Sequence, residues 1–287
     1  MKSHVERVAS RDGYFSPESV VRRVLNSPVV HVLGAGPAML HQVAHPLVAA
    51  SVVAHTDFRN DLTRRLAHTL RALYLIVYGS KAEAEQIGEA VRTLHTRVRG
   101  RTTMQLGPFP AGTPYSASDP ELMLWVHAAL TEIPLVVYNR FFHPLAPGEE
   151  RRYYRDMTLV ARLFGVPPST MPATLAEFRE YLRAQLDGSE IVVTQPARQI
   201  AAVVLDPPLS APLRPILRTH RLATAGLLPE RLRAEYGLAW DRGRAAALSL
   251  AVSSLRVAGA PLVFAAERLL PTRSLLAAEA KQTLAPL

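Results

Sequence analysis

RRLAHTLRALYLIVYGSKAEAEQIGEAVRTLHTRVRG, residues 64 to 100, is the stretch whose reading decides the fold. Apolar residues recur at helical spacing on both sides of Gly79-Ser80. Gly79 is a natural stop for the first helix, and Ser80-Lys81-Ala82-Glu83 has the serine and glutamate of a capping box for the second. With so short a connection the two helices must fold back as an antiparallel hairpin. On the first, Arg65, His68, Thr69 and Ala72 follow i, i+3, i+4, i+7 and share one stripe. On the second, Gly88, Val91, His95 and Val98 do the same. A lone histidine in an amphipathic helix is usually a hydrogen-bonded boundary residue, and that reading stays open for His95. The alternative is a ligand surface. One imidazole can bind a metal, Gly88 about two turns earlier leaves room for a flat ring system, and nearby guanidinium groups suit its acid groups.

Working outward, Ser16-Pro17-Glu18 predicts the start of a short helix. Val29 to Leu40 contains Gly34-Ala35-Gly36, but Pro37-Ala38-Met39 follows where a dinucleotide fingerprint needs a third glycine. The glycines therefore predict a tight lead-in to a helix begun by Pro37. Pro46 should kink or restart that helix, and Asn60 or Asp61 should cap the helix of Arg65. Residues 101–115, rich in Gly, Pro and Thr, predict an irregular loop. Asp119-Pro120 opens a helix carrying Trp125 and His127 up to Pro134. Further helices are predicted at 147–164, 174–186, 195–205, 212–225, 229–236, 241–258 and 261–270. Alternating β-branched runs are nearly absent. The expectation is an all-α single domain, with a central helical hairpin forming a pocket and a helical extension over 186–287.

Length and composition narrow the function classes. The chain has 287 residues, 31.5 kDa and no cysteine, which removes disulfides, thiolate ligation and iron–sulfur clusters. Formal net charge is +9. The only lysines are Lys2, Lys81 and Lys281, and the arginines are scattered among glutamates with no nucleic-acid module, so no nucleic-acid partner is expected. The first fifteen residues lack the apolar core of a signal peptide, and the longest apolar run, 245–266, is interrupted by Arg256 and Pro261, so a cytoplasmic location is expected. His41 and His45 stand at zinc-gripping spacing, but His41-Gln42-Val43-Ala44-His45 lacks the glutamate a zinc protease uses as base. His127 has bulky apolar neighbours and reads either as a core histidine or as part of a cofactor site. Arg59 sits in the loop before the helix of Arg65, where surface charge is the plainer reading.

Six blocks in one order carry a resemblance to a known family. They are HQVAHPLVAASVVAHTDF (41–58), RRLAHTLRALYLIVYG (64–79), LHTRVRG (94–100), YSASDPELMLWVHAAL (115–130), RRYYRDMTLVARLFGVP (151–167) and MPATLAEFREY (171–181). From about Gly34 to Tyr181 the chain resembles the MpaB and latex-clearing-protein catalytic domain, also called domain of unknown function 2236. The resemblance implies an all-helical protein holding one haem b and oxidatively cleaving double bonds of an apolar molecule, with oxygen or peroxide as co-substrate. It places the proximal iron ligand at His95. It sets Arg65, His68 and Thr69 on the distal side, where rubber-cleaving members have lysine in place of His68. A second imidazole there can cap the iron or act as an acid–base group. Arg65, Arg59 or Arg97 would neutralise haem propionates. The rival reading is a non-enzymatic helical protein that binds haem or an apolar ligand for electron transfer or sensing.

Overall fold

In the computed structural model residues 12–56, 58–207 and 214–269 are described, with side chains left aside for 58–67, 214–216 and 258–269. Twelve helices run in order among them: α1 (Val20–Leu25), α2 (Pro28–Val43), α3 (Pro46–His55), α4 (Phe58–Tyr78), α5 (Lys81–Arg97), α6 (Pro120–Phe141), α7 (Pro147–Phe164), α8 (Leu175–Asp187), α9 (Gln195–Leu205), α10 (Arg214–Leu227), α11 (Glu230–Glu235) and α12 (Arg242–Leu269). The fold is all-α, as the periodicity requires. Its one sheet among these residues is a two-stranded antiparallel ribbon, β1 (Arg99–Arg101) with β2 (Pro114–Ser116), in which Gly100 pairs with Tyr115. The ribbon lies where an irregular loop was expected. Its strands are three residues each, too short for alternation to show in sequence.

The hairpin of α4 and α5 forms as the capping signals demand. Ser80 Oγ accepts from the Glu83 amide at 3.3 Å, and the Glu83 carboxylate accepts from the Ser80 amide at 2.8 Å. Both bonds satisfy amides that the start of a helix leaves without partners. Helix α4 begins at Phe58, ahead of the expected Asn60 or Asp61 cap, whose side chains lie outside the described set. Pro46 restarts the chain as α3, and His45 caps it by accepting from the Leu47 amide at 3.2 Å. Helices α7 and α9 run over the predicted residues.

Two expectations fail for the same physical reason. Gly34, Gly36 and Pro37 lie inside α2, which runs unbroken from Pro28, rather than in a lead-in to a later helix. Likewise 241–258 and 261–270 are not two helices, because α12 passes through Pro261. Each proline removes one intrahelical bond, and tertiary packing outweighs that loss. Leu33 and Leu40 of α2, and Leu248 and Val252 of α12, are buried. The glycines of α2 mark close helix crossings. A Cβ on Gly36 would overlap the Thr224 hydroxyl and come within 2.7 Å of the His220 ring, both on α10.

Helices α2 and α6 form the spine and contribute to two apolar clusters. One gathers Leu40, Val52, Trp125, Phe178, Ile191 and Ile200 with α3, α8 and α9. The other gathers Val24, Leu33, Ile76, Phe141, Tyr153 and Leu248 with α1, α4, α7 and α12. The C-terminal helices thus share the core of the rest. Helix α6 is long and apolar enough by length and composition to cross a membrane, with 56% of its apolar window buried inside the protein.

The two glycines of α2 predict opposite outcomes. Gly36→Ala should destabilise by about 1–3 kcal/mol through overpacking against Thr224 and His220. Gly34→Ala should stabilise by about 0.5–1 kcal/mol, because its Cβ meets Ile133 and Val137 at an ordinary 3.7 Å. Chemical denaturation of the two variants checks both signs.

Candidate functional site

The antiparallel hairpin of α4 and α5 packs against α7, and its residues line, together with residues of α2, α3 and α6, a cavity of about 640 Å³. That is the size range of small-molecule and cofactor sites, about 300–1,000 Å³. Its wall is mostly aliphatic and includes Ala38, Met39, Val91, Val126 and Leu130. Into it converge the imidazoles of His31, His55, His68, His95 and His127 and the guanidinium of Arg71. No acidic residue stands among the described lining residues. The arrangement can hold a flat or elongated apolar molecule, and its polar lining is mainly imidazole with one arginine among the described residues.

The structure brings His68, Thr69, His95 and His127 to this one wall. His68 is exposed and His95 half-buried. Measured from the Gly79-Ser80 connection, His95 lies roughly one helical turn further along the hairpin than His68. Ile87, Val91, Leu94 and Val98 of α5 line the cavity with His95, and Leu94 is 41% exposed, so the cavity reaches the surface near it. His127 is buried in α6. Its Nε2 is 3.1 Å from the Thr131 hydroxyl, which itself donates back to the His127 carbonyl at 3.0 Å. Burial pushes the ring's pKa down to about 4 despite the attraction of the Met157 carbonyl. A neutral ring held so closely is a rigid part of the wall.

Gly88 is placed differently from the expectation. It is not among the lining residues; a Cβ there would come within 2.5 Å of the Leu163 carbonyl at the end of α7. The glycine seats α5 against α7, where Arg92 Nη1 also donates to Leu163 O at 2.6 Å. The smooth face beside His95 is instead made by Val91 and Val98. The side chains of Arg59 and Arg65 lie outside the described residues, and Arg97 is exposed at the end of α5. His41 and His45 are not on the cavity wall. His41 stacks on Trp125 with centroids 4.5 Å apart, and His45 stacks on Phe109 and caps α3.

Arg71 and His31 escaped the sequence reading, and His55 stood in it only within the block at 41–58. Arg71 is 7% exposed and follows His68 by three residues, beside but outside the stripe of Arg65, His68, Thr69 and Ala72. His31 sits in the first turn of α2, with Nε2 2.7 Å from the Leu25 carbonyl. His55, exposed at the end of α3, has Nε2 3.5 Å from the Tyr115 hydroxyl, its ring edge-on to Tyr115. Nothing local in sequence ties these two to the hairpin, because α2 and α3 reach the cavity only through tertiary packing. Among the described residues no three histidines or carboxylates gather as a cage for a metal held by side chains alone. A macrocycle that brings its own four nitrogens needs only one or two axial imidazoles, and this wall provides them.

Comparison with known proteins gives the chain its family. Residues 21–257 match the family described as ER-bound oxygenase mpaB/B'/Rubber oxygenase, catalytic domain, and the chain belongs to it. The match extends beyond 34–181, where the sequence blocks lie, to include the helices up to α12. Two curated relatives are uncharacterized proteins of Mycobacterium bovis and Mycobacterium tuberculosis. Each is 28% identical over 214 residues, covering 74% of this chain and 77% of the relative. No solved structure matches.

The buried histidines around the site set a pH dependence. Burial pushes the pKa values of His41, His45 and His127 from 6.5 to about 4. Between those values the unfolded chain binds protons that the folded one does not, so stability is full above pH 6.5 and falls as pH drops toward 4. At about 1.4 kcal/mol per pKa unit, each ring can remove up to roughly 3 kcal/mol. Together that rivals a whole domain's stability of about 5–15 kcal/mol. Denaturant unfolding measured across this window should show stability rising with pH, and His41→Phe should reduce the slope by about one proton.

Proposed function

We propose that the chain is a haem b-dependent oxygenase acting on an apolar small molecule. Family membership supports oxygenase chemistry. The observation that carries the finer reading is a mostly aliphatic cavity lined by histidines of both hairpin helices and by the buried Arg71. The lining residues fit a haem: His95 would hold the iron, Val91 and Val98 would offer an apolar surface beside it, and Arg71 would be a cation for a propionate. When bound, the haem supplies activation of oxygen or peroxide. The chain's own groups do the rest. Thr69 would donate a hydrogen bond within the cavity, and the exposed His68 would accept or donate a proton at its ring nitrogens. The aliphatic wall excludes water and holds the substrate against the reacting centre. Arg59 and Arg65 remain candidates for the propionates or for polarising oxygen.

A second reading rests on His68. Two imidazoles on one cavity suit a six-coordinate haem used for electron transfer or sensing, without catalysis. A ferrous haem whose Soret band does not respond to carbon monoxide favours that reading, and a shifted band favours the oxygenase. Protein without a Soret band even after haem feeding contradicts both.

The assignment also predicts asymmetry between the two histidines. His95→Ala should lose most of its haem. His68→Ala should keep haem near the wild-type level and change its spin state, because an exposed side chain is an optional ligand. Haem content and ferric spectra of the two purified variants decide this, and the reverse pattern would exchange the two roles.

A further inference from the structure

His31 is the least accounted-for polar group on the cavity wall. Its Nε2 lies 2.7 Å from the carbonyl oxygen of Leu25, at the end of α1. A carbonyl can only accept, so Nε2 carries the ring proton and Nδ1 carries a lone pair. Burial pushes the ring's pKa down more than the Leu25 carbonyl raises it, which keeps the ring neutral at physiological pH. Nδ1 has no hydrogen bond among the described residues, and it is not fully buried. The ring lines only the main cavity and the small recess beside it, where Leu25, Leu70, Leu73, Tyr74 and Tyr78 are its neighbours. The Tyr78 hydroxyl is already committed to the Arg22 carbonyl at 2.8 Å. A fixed acceptor therefore stands on a stretch of the cavity wall whose neighbours in the adjoining recess are aliphatic or aromatic.

We infer that His31 is a specificity-determining residue that accepts a hydrogen bond from the hydroxyl of an otherwise apolar substrate, an alcohol or phenol. The geometry selects by donor. A hydroxyl gives its proton to Nδ1, whereas an ether or alkane of the same length removes water from Nδ1 and returns nothing. A carboxylate or ketone would set lone pair against lone pair. The hydroxyl end then rests near α1 and α2, and the hydrocarbon body extends along Ala35, Ala38 and Leu130. This names the substrate class for the proposed oxygenase and rests on that reading only in treating the cavity as the substrate chamber.

Calorimetric titration of the full-length purified protein with 1-decanol and with decyl methyl ether tests it. The wild type should bind the alcohol at least about tenfold more tightly, a modest share of what a site built around a substrate hydroxyl can achieve. His31→Phe should bring the alcohol down to the affinity of the ether and leave the ether unchanged. Equal binding of the two by the wild type, binding of neither, or a preference that survives in His31→Phe would overturn the inference. The wild-type comparison stands even if the variant does not fold. Haem-free protein that prefers the alcohol would sink the oxygenase reading and leave this one intact, whereas haem-loaded protein with no preference would do the reverse.

Discussion

The rest of the molecule depends on the turn at Gly79-Ser80. A connection this short gives α4 and α5 no freedom except to lie antiparallel and in contact. The Ser80–Glu83 box stabilises the start of α5, each bond contributing on the order of 1 kcal/mol, and Gly88 lets that helix settle onto the last turn of α7. With α5 held at its start and near its middle, its stripe from Ile87 to Val98 lines the cavity, and His95 stands on that stripe.

The cavity exists because the two apolar clusters on either side are well filled. Leu40, Trp125 and Phe178 on one side, and Ile76, Phe141 and Tyr153 on the other, are almost wholly buried, and α2 and α6 span both. A spine held from two sides resists collapse into the space between, which dense packing would otherwise tend to close. Its lining is mostly aliphatic with no described carboxylate, so the site favours apolar molecules with few polar handles.

Much of this was legible in sequence because it is local. The capping box, the glycine stop, Pro46 as a restart and the caps of α6 and α8 are all signalled within four residues. Where the reading failed, distant contacts overruled local propensity. Gly36 is read as a turn residue until α10 is seen crossing it, and Pro261 as a stop until α12 is seen anchored through Leu248. The site divides the same way. His68, Thr69 and His95 share stripes on adjacent helices and could be paired from spacing. His31 and His55 come from helices whose approach no periodicity encodes. Arg71 was legible in principle, three residues beyond His68, but lay outside the stripe of Arg65, His68, Thr69 and Ala72.

The central claim is that a protein imidazole in this cavity binds haem iron. Pulsed electron paramagnetic resonance of the ferric haem-loaded protein, prepared with 15N-histidine, measures it at the atom concerned. The account predicts 15N hyperfine coupling from at least one histidine ring. A haem that binds without any such coupling, or a protein that takes up no haem at all, would contradict it.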